Sequence, residues 1–119
     1  TDSVPVRAFQ KMGYEKNVVI LTREQNYVKK PELNMLPKLF YHKYPAFAKA
    51  FLNRHKEYNH TMKYISKLEK QGKVFVIRPK HALKIGRLEK NPDNVQRVYD
   101  IGYADGQKYM QNLLDWLSD

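Results

Sequence analysis

Two continuous apolar runs, Val18-Val19-Ile20-Leu21 and Val74-Phe75-Val76-Ile77, set the strongest limit on the fold of this 119-residue chain. Neither alternates with polar residues, so each reads as a strand buried on both faces, as in a parallel sheet. Helical sequence separates them, which predicts a parallel, right-handed α/β arrangement. A two-stranded parallel sheet is a poor free-standing core. The expected fold is therefore α/β with an incomplete parallel sheet of two or three short strands. Helices cover it, a long C-terminal helix closes it, and the remaining strands come from upstream or from a partner.

The punctuation of the chain supports this order. Ser3, Val4 and Pro5 offer a capping hydroxyl and a first-turn proline, and Val6, Phe9 and Gln10 come next at helical spacing. Gly13 is a natural stop. Residues 22–32 read as a polar loop, and Leu33 to Tyr41 as a short helix. Pro45 opens a long helix reaching about Gln71, with Phe47, Phe51, Tyr58, Met62, Ile65 and Leu68 on its apolar side. Gly72 ends it. After the second run, Arg78-Pro79 closes the strand, and Leu83 to Ile85 is either a third short strand or irregular loop. Asn91-Pro92 is a cap followed by a first-position proline. From there one apolar stripe runs from Val95 through Val98, Tyr99, Gly102, Tyr103, Gly106, Tyr109, Met110, Leu113 and Leu114 to Leu117. Glycine costs roughly 1 kcal/mol inside a helix, so Gly102 and Gly106 predict close helix packing. No internal repeat or low-complexity segment interrupts the pattern.

Composition limits the chemistry. No apolar run approaches the length of a membrane-spanning helix, and no signal-peptide pattern is present. The chain opens on Thr1 instead of Met, which suggests a start lying upstream or removed. Without cysteine there is no disulfide or thiolate chemistry. Ser3, Ser66 and Ser118 all lack the glycine neighbours of a nucleophile elbow. His55 and His60 point to different sides of one helix, while His42 and His81 are isolated, so no metal site forms. Asp100 and Asp105 share a helix but not a face, which argues against a paired acid and base. No glycine-rich phosphate loop is present. No cofactor is implied.

The formal net charge of +10, from 22 basic and 12 acidic residues, favours anionic partners. It is spread along the sequence, which reads first as a solvated basic surface. Tyrosines interleave with lysines, as in Tyr41-His42-Lys43-Tyr44. That mixing suits base stacking, yet Tyr58, Tyr99, Tyr103 and Tyr109 fall on core-type positions. Arg23 and Arg78 each close an apolar run. In a parallel pair both lie at the carboxyl edge of the sheet, where open α/β folds bind ligands. With Arg87 of the basic loop, they are the candidate contacts for an anion or substrate. The plainer alternative is that each caps a helix or pairs with an acid such as Glu24 or Glu89.

Several stretches together resemble the C-terminal end of bacterial patatin-like phospholipases. They are Ile77-Arg78-Pro79, Leu83-Lys84-Ile85-Gly86-Arg87-Leu88-Glu89-Lys90 and Tyr99-Asp100-Ile101-Gly102-Tyr103-Ala104-Asp105-Gly106. Asn53-Arg54-His55-Lys56-Glu57-Tyr58-Asn59 is similar to that family's central helix. Thr1 to Val6, Gly13-Tyr14 and Val18 to Arg23 look like the segment just after its Asp-Gly-Gly motif. The resemblance implies an α/β serine acyl hydrolase with a Ser-Asp dyad, a Gly-x-Ser-x-Gly elbow and an oxyanion glycine loop. None of these motifs occurs here, and Asp2 is followed by Ser3-Val4 in place of glycine, so no catalytic residue carries over. His81-Ala82 departs from the proline often found in relatives.

On this resemblance residues 1–44 end the catalytic domain, and residues 45–119 form a family-specific C-terminal segment. The chain alone is expected to be inactive. Its implied partners are the missing N-terminal catalytic half, the lipid ester or phospholipid substrate of the parent, and an anionic membrane surface. Its implied place is the cytoplasm, peripheral at the membrane. The alternatives are a small basic module binding nucleic acid or an anionic protein, which lacks a known motif, and a regulatory domain that folds by itself.

Overall fold

The computed structural model describes residues 4–31 and 42–119. The elements are α1 (Val6–Lys11), β1 (Asn17–Ile20), α2 (Pro45–Lys70), β2 (Val74–Ile77) and α3 (Pro92–Ser118). The expected cap at Ser3 and the expected helix from Leu33 to Tyr41 lie outside the described residues. The class is α/β, with a two-stranded parallel sheet and a long C-terminal helix. Residues 83–85 are irregular, so among the described residues the third strand does not form.

Both strands are launched by the same device. At the end of α2, Gly72 takes φ +69°. Its N–H donates to the Glu69 carbonyl (3.0 Å), and the Lys73 N–H donates to that of Leu68 (2.9 Å). This is a Schellman termination, which needs a left-handed residue and favours glycine there. At the end of α1, Gly13 takes φ +95°. The Gly13 N–H donates to Gln10 (3.0 Å) and the Tyr14 N–H to Phe9 (3.1 Å). The apolar contact that accompanies such a motif is present too, with the Phe9 and Tyr14 rings 5.8 Å apart. Each helix thus turns sharply into its strand.

The strands pair with Val18 opposite Phe75 and Ile20 opposite Ile77. Alternate side chains point to opposite faces. Val19, Leu21 and Val74 face a small core with Val6 of α1 and Ile65 and Leu68 of α2, and Val4, Met62, Tyr64 and Val76 pack around it. Tyr64 reaches across to hydrogen-bond Gln10 Oε1 (2.8 Å). The other face carries Val18, 41% exposed, and Ile20, 73% exposed.

Helix α3 is held mainly by its ends. At the C-terminus, the Trp116 indole N–H donates to the Gly72 carbonyl (3.0 Å), and its ring lies 5.8 Å from that of Phe75. Lys16 Nζ donates to the Trp116 carbonyl (2.8 Å), a cation placed where the helix dipole is negative. At the N-terminus, the Asn91 side chain accepts from the Asp93 N–H (3.0 Å). Glu89 accepts from the N–H groups of Lys90 and Asn91, 3.0 Å each, and Arg97 donates to the Leu83 carbonyl (2.7 Å).

Between these anchors no α3 residue is fully buried. Two expectations are therefore corrected. Among the described residues Gly102 and Gly106 do not mediate close packing, because a methyl group added at either would meet nothing within 4 Å. Tyr99 and Tyr103 are not core residues: they stack on each other at 6.3 Å and are 64% and 60% exposed. The apolar arc is real, but among the described residues little covers it.

Both anchors of α3 can be tested. Trp116→Phe keeps a ring against Phe75 and loses the indole donor. It should cost about 1 kcal/mol, read as a lower urea midpoint by circular dichroism, and an unchanged midpoint would mean that the bond contributes nothing. At the other end, the Asn91 N–H first, then the Asn94 amide and the Lys90 N–H, hold the Glu89 carboxyl below the usual carboxylate range. A lowered carboxylate pKa stabilises the fold at neutral pH and loses that contribution as pH falls through the folded value. An NMR titration should find Glu89 below a model peptide. Glu89→Gln should flatten the acid limb of stability, and an ordinary Glu89 titration would refute the assignment.

Candidate functional site at the carboxyl edge of the sheet

The parallel pairing places Arg23 and Arg78 beyond the same ends of β1 and β2, the ends marked by Ile20 opposite Ile77. Each already has a partner. Arg78 forms a salt bridge with Glu69 of α2. The acid is neither Glu24 nor Glu89, which the sequence suggested, because the Schellman turn folds the end of α2 back beside β2. Arg23 lies over the Tyr27 ring, 4.7 Å from its centroid. Arg87 is exposed in the turn at residues 87–88, and among the described residues no contact joins it to the other two. The structure brings Arg23 and Arg78 to one edge and leaves Arg87 apart.

The loop after β1 is fixed to α2 by one side chain. Asn59 Oδ1 accepts from the Lys29 N–H (2.8 Å), and its Nδ2 donates to the Lys29 carbonyl (3.0 Å). Tyr27 meets Tyr58 edge-on at 6.1 Å. Burial pushes the Tyr58 hydroxyl above the usual phenol range, with Tyr27 and Glu24 adding to the rise and Arg23 opposing it. Glu24 Oε2 is buried without a hydrogen-bond partner among the described residues.

Below this loop an open groove of about 810 Å³ runs along α2. Tyr27 and Val28 line one wall, and Met62, Lys63, Lys67 and Lys70 the other. Sequence reading missed this surface because it took the charge as spread. The signal lies in spacing: Lys63, Lys67 and Lys70 recur at four- and three-residue steps, which places them on one side of a helix. Ser66 also lines the groove from within α2. Among the described residues no group of three metal-ligating side chains occurs. The groove has the means to hold an anion or an amphipathic molecule.

A family model described as a domain of unknown function, DUF6363, matches residues 44–118. The chain belongs to that family. No curated protein and no solved structure matches it. The matched region holds α2, β2 and α3, and therefore the lysine wall of the groove, Arg78, Arg87 and the exposed arc of α3.

Replacing Asn59 with alanine removes both bonds to Lys29 and should destabilise the loop locally by about 1–2 kcal/mol. Amide exchange at residues 24–31 should accelerate several-fold while exchange in β2 stays slow. Equal acceleration throughout would show that the clamp is not local.

Proposed function

We propose that this chain is the C-terminal part of a patatin-like serine acyl hydrolase acting on lipid esters, and that it supplies structure and not catalytic groups. The carrying observation is the unfinished sheet. Parallel sheets are covered on both faces, yet one face here leaves Val18 and Ile20 bare. The catalytic half of the parent is the natural cover, and it brings the serine, the aspartate and the oxyanion loop. Residues 1–44 then complete the catalytic domain, and residues 45–119 brace the sheet through α2 on its core face and the end of α3 on the other. Arg23 and Arg78 stand beyond the carboxyl ends of the two strands. Among the described residues no helix is long and apolar enough to cross a membrane. On this reading the parent is a cytoplasmic protein that meets its lipid substrate at the membrane surface.

A second reading is a small basic binding module without chemistry. The lysine wall of α2 favours it, since a row of cations recognises negative charge.

An antibody against this chain, applied to native extract labelled with a fluorophosphonate probe, separates the two. The acyl-hydrolase reading expects a labelled band well above the chain's own 14.2 kDa. An unlabelled band at that mass overturns it and leaves the binding module.

A further inference from the structure

The basic wall of the groove is part of a longer feature. Lys49, Lys56, His60, Lys63, Lys67 and Lys70 are all exposed on α2. At roughly 100° per residue they fall within about 80° of one another around the helix. They span about 32 Å at 1.5 Å per residue. The two acids of α2 do not neutralise them. Glu57 lies outside this arc, and Glu69 is on the far side, committed to Arg78. None of the five lysines has an ion pair among the described residues. Ile65 and Leu68, which bind α2 to the sheet, point the opposite way.

We infer that this row docks the protein on an anionic phospholipid surface. A straight row on a rigid helix presents its charges to a plane. Lysine ammonium groups are point charges suited to diffuse attraction by headgroups, whereas arginine forks are suited to directed phosphate contacts. Arg54, the arginine of α2, faces away from the row. Across the groove from Lys63 and Lys67 stands Val28, 67% exposed, which gives the basic face an apolar lip. A single-stranded nucleic acid would want free aromatic faces along its path. The tyrosine of this groove, Tyr27, already has Arg23 on its ring and Tyr58 against its edge.

The test is co-sedimentation of the chain with vesicles of equal parts phosphatidylglycerol and phosphatidylcholine. Binding should be strong at low salt, fall steeply as salt screens the charges, and be absent with phosphatidylcholine alone. Each lysine near such a surface is worth about fivefold in partitioning. Lys63→Ala should therefore weaken binding about fivefold, and Lys56→Ala, Lys63→Ala and Lys67→Ala together about a hundredfold. Alanine is the best helix former, and circular dichroism should show α2 intact. A charge-matched triple at Lys80, Lys90 and Lys108 should bind nearly as the parent chain does. The inference is overturned if the two triples bind alike, if phosphatidylcholine vesicles bind equally well, or if single-stranded RNA strips the chain from the vesicles. It does not rest on the acyl-hydrolase reading: vesicle binding and fluorophosphonate labelling can each succeed or fail without the other.

Discussion

Gly72 is the corner on which the rest of the structure turns. Its left-handed backbone ends α2, its N–H closes the last turn onto Glu69, and its carbonyl receives the Trp116 indole. One residue therefore fixes where α2 stops, where β2 starts and where α3 ends. A side chain there would meet no neighbour, so the requirement for glycine is one of backbone conformation alone. The salt bridge between Arg78 and Glu69 depends on the same turn, since only a tight reversal returns the end of β2 beside the last turn of α2.

The use of one helix-to-strand device at both Gly13 and Gly72 explains why the strands are parallel. Each helix packs on the same side of the sheet and delivers its strand in the same direction. The result is a core on one face only, with Val6, Ile65 and Leu68 against Val19, Leu21 and Val74. Phe75 faces the other side, level with Val18, and there the end of α3 reaches it through Trp116. Among the described residues the sheet has two strands, and both the apolar arc of α3 and one face of β1 stay exposed.

The sequence was legible wherever local chemistry decides. The two strands, their parallel order, the start of α2 at Pro45, the cap at Asn91 and the stops at Gly13 and Gly72 all come from short-range rules. Burial of α3 was not legible. Periodicity shows which side of a helix is apolar but not what covers that side, so Tyr99, Tyr103 and the glycine pair were read as packed. The partner of Arg78 was hidden for a related reason: Glu69 is nine residues away in sequence and becomes a neighbour only through the turn at Gly72. The lysine row escaped because charge was judged along the chain and not around the helix.

The two unsatisfied surfaces lie on opposite sides of the sheet. Helix α2 packs its apolar side on the core face and turns its lysines away from the sheet, whereas Val18 and Ile20 look out from the opposite face. The surfaces also differ in physics. A bare β-branched face gains from burial, which favours a lasting cover and changes little with salt. A row of unpaired lysines gains from long-range attraction that salt screens, which favours a reversible contact. A cover on the bare sheet face would leave the lysine row of α2 accessible, because the two surfaces point in opposite directions.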